Sequence, residues 1–267
     1  MAGIGEKEHV LLEEFRNRIS NFPLKDSQQT DHFLLRWLRA RDHDVEKAKA
    51  MLSNYLDYRK RMDVDNLLSW EPSKEWKTLA PSKLIGFDYE NSPVLLVPFG
   101  KWKIQKLVEA GLINEYLKYV ERLYEEVEVI MAGRKTPAGL PVSQFVYIFD
   151  ADKLSMMAFS NIRVIDTFMQ GSKNFEAYHP ETVKRFYILN AGRVFSAVYA
   201  LVKPILDQKT VEKLRIYGNT PEKYIADLLK DLPASILPPL YGGTNVEAED
   251  LAKIDMDDET DDEPLFL

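Results

Sequence analysis

The stretch SQFVYIFDADKLSMMAFSNIRVIDTFMQGSKNFEAYHPETVKRFYILN, residues 143–190, decides the fold. It opens with a short run rich in aromatic and β-branched residues, SQFVYIFD at 143–150, and closes with a similar run, KRFYILN at 184–190. Runs of this composition predict β-strands. The intervening residues, roughly 155–177, predict a helix. A strand, a helix and a second strand in succession predict part of an α/β sheet.

The same alternation extends in both directions from this stretch. Further strands are predicted at KLIGFDY (83–89), at 93–99 and at LRIYG (214–218). Further helices are predicted at 113–132, 193–206 and 220–231. Thr220 is the expected N-cap of the last helix, and Pro221 is its first residue. Residues 76–245 therefore predict one α/β domain.

The first 75 residues have a purely helical pattern. Residues 6–20 carry apolar side chains at helical spacing, Asp31 opens a second amphipathic run, and Asp44 is expected to cap a third helix that ends near Met62. These patterns predict a small helical domain over residues 1–75. Residues 246–267 are acidic and predict a solvated tail, whose last four residues, PLFL, could dock on the protein.

Composition limits the possible functions of the 267 residues. The chain is 45% hydrophobic and 29% charged, a balance typical of globular proteins. Its net charge of −7 disfavours nucleic-acid binding, which relies on clustered Lys and Arg. The absence of cysteine excludes disulfides and thiolate zinc sites, and it favours a cytosolic protein.

Neither a targeting segment nor a membrane span is predicted. The N-terminal residues MAGIGEKEHV have charges where a signal peptide needs an apolar core, and Ala2 occupies the position where myristoylation requires glycine. No run approaches the roughly 18 consecutive apolar residues of a membrane span. We therefore expect a cytoplasmic protein whose contact with membranes is transient and peripheral.

Motifs for metal or nucleotide chemistry are absent. No two of the four histidines have the i, i+4 spacing that places two ligands on one helical face. Glycine-rich phosphate loops and the G-x-S-x-G nucleophile elbow are also missing. The sequence therefore predicts no metal site, no cofactor and no enzymatic activity.

One feature resembles an enzyme motif. Asp150 and Asp152 follow a strand, as in haloacid-dehalogenase-type phosphohydrolases, where the first aspartate attacks phosphorus and the second acts as acid or base beside magnesium. That family also needs a lysine and a later strand followed by paired acidic residues, whereas Asp257 and Asp258 follow no strand. We favour a structural interpretation, in which the carboxylates cap the following loop and a helix from Ser155.

Three motifs occur in order along the chain: FLLRWLRAR at 33–41, HPET at 179–182 before a predicted strand, and LYGG at 240–243. Their order and spacing resemble the CRAL-TRIO lipid-binding family, closest to its group of secretory-pathway phosphatidylinositol transfer proteins and supernatant protein factor. The similarity covers about residues 30–245. The β-sandwich that follows this domain in supernatant protein factor is not expected, because the chain stops soon after Gly243.

This resemblance implies a helical N-terminal domain packed on an α/β domain. A mixed five-stranded sheet would form the floor of a hydrophobic pocket, and a mobile helix over 193–206 would cover it as a lid. Apolar side chains lie almost all round this segment, so an ordinary buried helix is the alternative. Gly192 and Pro204 are plausible hinge positions. The expected lid residues are Phe195, Tyr199 and Val202.

The resemblance also implies a site for the phosphatidylinositol headgroup. The family's binding residues fall on Arg41, Glu181, Thr210 and Lys213. Arg41 and Lys213 would bond phosphate, and Glu181 and Thr210 would bond inositol hydroxyls. Without the resemblance, Lys213 would be interpreted as a surface lysine and Glu181 as a carboxylate favoured at a helix start. The chain departs from the family at Asp42, where a basic residue is common.

A phosphatidylcholine site is not expected. Phe145 and Tyr147 replace the hydroxyl-bearing strand residues of the choline-binding relatives, and Leu84 and Leu95 fall where those relatives have pocket tyrosines. These four residues would instead form an apolar pocket wall, suited to a compact sterol-pathway hydrocarbon, retinoid, carotenoid or tocopherol-like molecule.

We therefore expect a monomeric, non-enzymatic carrier that encloses one phosphatidylinositol or other hydrophobic molecule and exchanges it at membranes. Two alternatives remain open. One is an interaction or regulatory module that transfers no lipid. The other is a carrier of an apolar isoprenoid-type ligand, such as squalene, with no role in phosphoinositide binding.

Overall fold

The computed structural model describes residues 4–248, and its helices and strands alternate as expected. The helices are α1 (Glu6–Arg18), α2 (Asp31–Ala40), α3 (Val45–Met62), α4 (Lys74–Leu79), α5 (Ile104–Glu109), α6 (Tyr116–Met131), α7 (Ile162–Tyr178), α8 (Arg193–Val202), α9 (Gln208–Lys213) and α10 (Pro221–Asp231). The strands are β1 (Lys83–Phe87), β2 (Pro93–Val97), β3 (Phe145–Asp150), β4 (Val183–Leu189) and β5 (Leu214–Ile216).

Helices α1 to α3 form the N-terminal helical region. Side-chain caps fix where two of them begin: the Thr30 hydroxyl accepts from the Phe33 amide at α2, and the Asp44 carboxylate accepts from the Lys47 amide at α3. The helices share a core in which the apolar faces of all three meet. Its buried members include Leu12, Phe15, Leu34, Leu35, Trp37, Leu38, Leu52 and Tyr55.

A buried polar cluster joins this helical region to the α/β part. The Tyr58 hydroxyl on α3 donates to Glu121 on α6 at 2.9 Å, and His179, just after α7, lies 3.1 Å from the same carboxylate oxygen. The rings of Tyr58 and Tyr178 stack with centroids 3.8 Å apart. Because a buried carboxylate is costly without partners, this cluster holds α3, α6 and the end of α7 in one arrangement.

The five strands form one mixed sheet in the order β1-β2-β3-β4-β5. Strands β1 and β2 are antiparallel, and β2 to β5 are parallel. Helices α4 to α8 pack on one face of the sheet, and α10 packs on the other. Along β3, Phe145, Tyr147 and Phe149 face the first set of helices, while Val146 and Ile148 face α10. The predicted fold class is therefore confirmed.

Some element boundaries differ from the predictions. Helix α7 begins at Ile162, capped by Asn161, so residues 155–161 form a loop with one 3-10 turn instead of the expected start of the helix. Short helices α4, α5 and α9 were not predicted. Pro221 does begin α10, but the Thr220 side chain makes no capping hydrogen bond. Within residues 4–248, no helix is long and apolar enough to cross a membrane.

Glu8 on α1 links this helix to α2, and its replacement by glutamine should destabilise the protein. Its two oxygens accept from Arg39 Nε and Nη2 at 2.7 and 2.8 Å, and His43 Nε2 lies 3.1 Å away. The Arg39 bonds lower the pKa of Glu8 from 4.5 to about 2. After allowance for solvent screening, we expect Glu8→Gln to lower the free energy of unfolding by about 1–2 kcal/mol at pH 7.

The pH dependence of this effect follows from the lowered pKa. A carboxylate whose folded pKa is depressed contributes stability that is present above 4.5 and is lost as pH falls toward 2. Urea unfolding at pH 7 and pH 2 should therefore show a difference between wild type and Glu8→Gln that shrinks in acid. Glu13→Gln, at an exposed position on the same helix, is the control. A difference that does not change with pH would contradict the prediction.

Candidate functional site

A cavity of about 190 Å³ lies between the sheet and helices α6, α7 and α8. Side chains from β3 and β4 form its floor, α6 and α7 its side, and α8 its cover. Almost all the lining side chains are apolar or aromatic. They include Phe99, Tyr116, Val120, Tyr124, Phe145, Tyr147, Phe149, Phe168, Phe175, Phe186, Ile188, Phe195, Val198, Tyr199, Val202, Leu206 and Thr210.

The wall of the cavity is rich in packed aromatic rings. Tyr147 and Phe186, from neighbouring strands, have centroids 4.6 Å apart, and Tyr116 meets Phe168 edge to face at 4.5 Å. Such pairs are favourable beyond the area they bury. The predicted pocket residues Phe145 and Tyr147 both lie in this wall.

Leu84 and Leu95 do not line the cavity, so their prediction as pocket residues is corrected. Leu95 is buried in the hydrophobic cluster with Trp76 and Trp102, beneath α4 and α5. Leu84 lies opposite Leu95 on the edge strand β1, beside a bulge that ends at Gly86, and is partly exposed. Both leucines belong to the β1–β2 end of the sheet, which short helices cover, whereas the cavity lies over β3 and β4.

Helix α8 presents its two sides differently. Phe195, Val198, Tyr199 and Val202 line the cavity, whereas Leu201 is 48% exposed on the outer side. Gly192 is the N-cap of α8, and Pro204 lies in the 3-10 turn (Lys203–Ile205) that follows it. The three predicted lid residues therefore lie over the cavity, and backbone break points flank the helix.

Three of the four predicted headgroup residues lie beside the cavity, although only Thr210 is among the residues that line it. Lys213 Nζ donates to Glu181 Oε2 at 2.8 Å. Thr210, one turn earlier on α9, lines the cavity. Glu181 has a positive φ of 58° in the turn between α7 and β4, which aims its side chain at α9. This arrangement offers one cation, one carboxylate and one hydroxyl beside an apolar cavity.

Arg41 lies in a neighbouring groove instead. Its Nη1 donates to the Ala40 carbonyl, and its side chain lines a groove between α3 and the end of α7, together with Lys47 and Arg61. Lys209 on α9 bonds the Arg39 carbonyl and Asp42, so the end of α2 does touch α9. Within the described residues, however, no contact joins Arg41 to Glu181, Thr210 or Lys213. Arg39, which sequence reasoning missed, has a raised pKa chiefly because it is hydrogen-bonded to Glu8, and the charge of Glu181 adds to this effect.

Glu176 on α7 is a second residue that the sequence analysis missed. Burial raises the pKa of its carboxyl, against a hydrogen bond from Thr210 that lowers it. Its Oε1 atom is buried and has no hydrogen-bond partner among the described residues. Its position on the last turn of α7, three residues before His179, could have suggested proximity to the headgroup residues, but nothing in the sequence indicated contact with α9.

Asp150 is part of the protein's internal framework. It is buried, and its oxygens accept from the Asp152 amide at 2.9 Å, Asn190 Nδ2 at 2.8 Å and the Tyr241 hydroxyl at 2.6 Å. It thus caps the loop after β3 and ties it to β4 and to the LYGG segment. The part of the structural interpretation that placed a helix at Ser155 is wrong, because α7 begins later.

Comparison with known proteins gives consistent matches over this architecture. The model of the CRAL/TRIO domain matches residues 81–243, and that of the CRAL/TRIO N-terminal domain matches residues 11–54. The SEC14 cytosolic factor of Kluyveromyces lactis is 30% identical over 250 residues, covering 92% of this chain and 81% of that protein.

A plant relative and a solved structure extend the comparison. The phosphatidylinositol/phosphatidylcholine transfer protein SFH7 of Arabidopsis thaliana is 31% identical over 90% of this chain and 44% of its own length. The chain spans less than half the length of the Arabidopsis relatives it matches. The crystal structure of Sfh5 superposes with a TM-score of 0.70 at 14% identity, covering 92% of this chain and 90% of that one, and shows the same fold. The resemblance seen in the three sequence motifs is confirmed, and the chain belongs to the CRAL/TRIO domain family.

Proposed function

We propose that this protein is a cytoplasmic, non-enzymatic lipid carrier, which encloses one phosphatidylinositol or other hydrophobic molecule and exchanges it at membranes. The observation that carries the proposal is a ring-lined cavity beneath α8, with the Glu181–Lys213 pair close to the lining residues Val183, Thr210 and Leu214. The names of the relatives support it, since the SFH proteins of Arabidopsis thaliana are phosphatidylinositol/phosphatidylcholine transfer proteins. A lipid carrier catalyses no reaction. The carboxylate of Asp150 is engaged in buried hydrogen bonds, which is consistent with a non-enzymatic protein.

A carrier protein keeps a lipid in solution by removing the apolar surface of the lipid from water. Each buried methylene contributes about 0.8 kcal/mol, so two acyl chains exposed to water would cost tens of kcal/mol. A cavity lined by packed aromatic rings offers the complementary apolar surface. Transfer then depends on opening and closing the cavity.

The size of the cavity favours a second candidate ligand as well. At about 190 Å³ it is smaller than the roughly 300–1,000 Å³ of sites that enclose drug-sized molecules, so a phospholipid needs α8 to move outward. A compact isoprenoid-type molecule needs less rearrangement. We therefore propose phosphatidylinositol with an opened lid, or a compact apolar ligand beneath a lid close to its position here.

Exposed apolar side chains beside the cavity support exchange at a membrane surface. Met156, Met157 and Ile162 are 59–65% exposed in the loop before α7 and at its first residue. The same loop lines the cavity through Leu154 and Phe159. The segments 99–108 and 153–165 together carry five cations and no carboxylate, in a chain whose net charge is −7. This combination suits an anionic bilayer.

Organic extraction of the purified protein, followed by mass spectrometry, tests the proposal. One stoichiometric lipid, together with transfer of that lipid between vesicles, is the expected result. A protein that carries no lipid and transfers neither labelled phosphatidylinositol nor an isoprenoid would contradict it. That outcome would instead favour an interaction module whose function is to bind another protein.

The lid proposal predicts a change in the environment of α8 at a membrane. The chain has no cysteine, so single cysteines at Val198, on the cavity side, and at Met157, on the exposed loop, can carry an environment-sensitive fluorophore. With anionic vesicles, we expect the emission of both probes to shift, and quenchers placed in the acyl chains to reach both.

A probe at Val129, which is 60% exposed on α6, is the control and should not respond. If the Val198 probe is unchanged by vesicles while lipid exchange proceeds, α8 is not the gate. If the Met157 probe alone is unchanged, α8 opens without docking of the loop.

A further inference from the structure

Glu121, on α6, is a buried carboxylate whose role the cavity lining does not explain. Its side chain is almost completely buried, and one oxygen, Oε1, has no hydrogen-bond partner among the described residues. The other, Oε2, accepts from the Tyr58 hydroxyl at 2.9 Å and lies 3.1 Å from His179 Nε2. A buried carboxylate with an unpaired oxygen lowers the stability of a protein. Its contribution therefore lies in what its two partners hold in place.

The carboxylate stays ionised in this cluster. Burial acts to raise the pKa of Glu121, but attraction to His179 and the hydrogen bonds from His179 and Tyr58 outweigh burial and lower the pKa below 4.5. Hydrogen bonds to an ionised group are stronger than neutral ones, and apolar surroundings strengthen them further. Tyr58 on α3 and His179 at the end of α7 are therefore both held firmly to α6.

His179 also begins the turn that carries Glu181. The Thr182 hydroxyl donates to the His179 carbonyl at 2.8 Å, and Gln144 Nε2 donates to the Glu181 carbonyl at 2.9 Å. Glu181 itself has a φ of 58°, a left-handed conformation that a non-glycine residue keeps only where its surroundings fix it. From this conformation its carboxylate reaches Lys213 at 2.8 Å. The direction of the Glu181 side chain thus depends on how firmly the turn is anchored.

We infer that Tyr58, Glu121 and His179 are positioning residues, through which the N-terminal helical region aims the Glu181 carboxylate at a bound headgroup. The inference rests on the proposed function and goes beyond it, because none of the three is among the described residues that line the cavity. The side chain of His179 anchors the first residue of the turn, and Tyr58 helps to hold its partner Glu121. The helical region thereby takes part in headgroup binding without touching the ligand.

A double-mutant cycle in the full-length protein separates positioning from a purely structural role. Tyr58→Phe removes one hydroxyl and keeps the ring that stacks on Tyr178. We expect this variant to transfer labelled phosphatidylinositol between vesicles about tenfold more slowly than wild type. In the Glu181→Gln background, the same substitution should slow transfer by less than about twofold, because an absent carboxylate cannot be misdirected. Glu121→Gln, which buries a neutral amide in place of a charge, should show the same dependence on Glu181.

Tyr55→Phe is the matched control. Tyr55 is buried on the same helix, and its hydroxyl accepts from Arg59 Nη1 at 2.8 Å. This variant therefore also removes a buried hydrogen bond of α3, but one that does not involve Glu121 or His179. We expect it to lower the urea concentration of unfolding about as much as Tyr58→Phe does, and yet to transfer phosphatidylinositol at the wild-type rate.

Three results overturn the inference: folded Tyr58→Phe and Glu121→Gln proteins that transfer phosphatidylinositol as wild type does, losses that multiply with the loss caused by Glu181→Gln, or an equal loss of transfer in Tyr55→Phe. If Tyr58→Phe fails to fold, the cycle between Glu121→Gln and Glu181→Gln decides alone. Losses that multiply leave the carrier function standing, because the wild type still transfers the lipid. A wild type that transfers no phosphatidylinositol overturns the headgroup assignment together with the inference.

Discussion

Replacing Val120 with tryptophan should abolish lipid binding and leave the protein folded. Val120 lies on α6 in the cavity wall, and an indole there would occupy much of a space of only about 190 Å³. Helix α6 cannot easily yield, because Glu121 is held by Tyr58 and His179, and Glu125 by Arg59 at 2.7 Å. Displacing even four methylenes of a ligand would cost about 3 kcal/mol, which is at least a hundredfold in affinity.

The stability of this variant should change much less than its affinity. Filling a cavity commonly stabilises a protein by about 0.5–2 kcal/mol, and overpacking costs about 1–3 kcal/mol, so the two effects partly cancel. Lipid extraction and vesicle transfer would measure binding, and urea unfolding would measure stability. Val129→Trp, on the exposed side of the same helix, should behave as wild type. A Val120→Trp protein that is folded and still transfers lipid would show that the ligand binds elsewhere.

The sequence predicted those parts of the fold that depend on local patterns. The start of α3 was predicted from Asp44. A carboxylate just before an amphipathic run accepts hydrogen bonds from the first free backbone amides of a helix, so it marks where the helix begins. The strands were recognised from their aromatic and β-branched residues. The six-residue helices α4, α5 and α9 were missed because fewer than two turns do not give a recognisable period.

Two kinds of information predicted parts of the site: the family resemblance, and the alternation of side chains along strand β3. Phe145 and Tyr147 share a face because side chains alternate along β3, and that face bears the cavity. Leu95 pairs in register with Tyr147, yet α4 and α5 cover it. Where a helix lies over a sheet depends on long-range packing, which periodicity does not encode. The same limit applies to Arg39 and Glu176, since their neighbours come from distant parts of the chain.

Removing either charge of the Glu181–Lys213 pair should weaken phosphatidylinositol binding by one to two decades. In this structure the two side chains bond each other at 2.8 Å and are largely buried. A bound headgroup would replace that bond, with phosphate accepting from Lys213 and inositol hydroxyls donating to Glu181. Hydrogen bonds to charged groups contribute about 1.5–3 kcal/mol, which sets the expected loss for Lys213→Ala or Glu181→Ala in a transfer assay with labelled phosphatidylinositol.

The ion pair also links α9 to the turn before β4, so a structural role has to be separated from headgroup binding. Exchanging the two charges, Glu181→Lys with Lys213→Glu, keeps an ion pair between these elements but presents the headgroup with each charge at the other's position. We expect the exchanged protein to unfold at a similar urea concentration to wild type and yet to transfer phosphatidylinositol poorly. Lys230→Ala breaks an exposed pair of similar length, 2.7 Å to Asp227 on α10, and should leave transfer unchanged. Restored transfer in the exchanged protein would mean that the pair only holds α9 in place, and unchanged transfer in both alanine variants would remove Glu181 and Lys213 from the headgroup site.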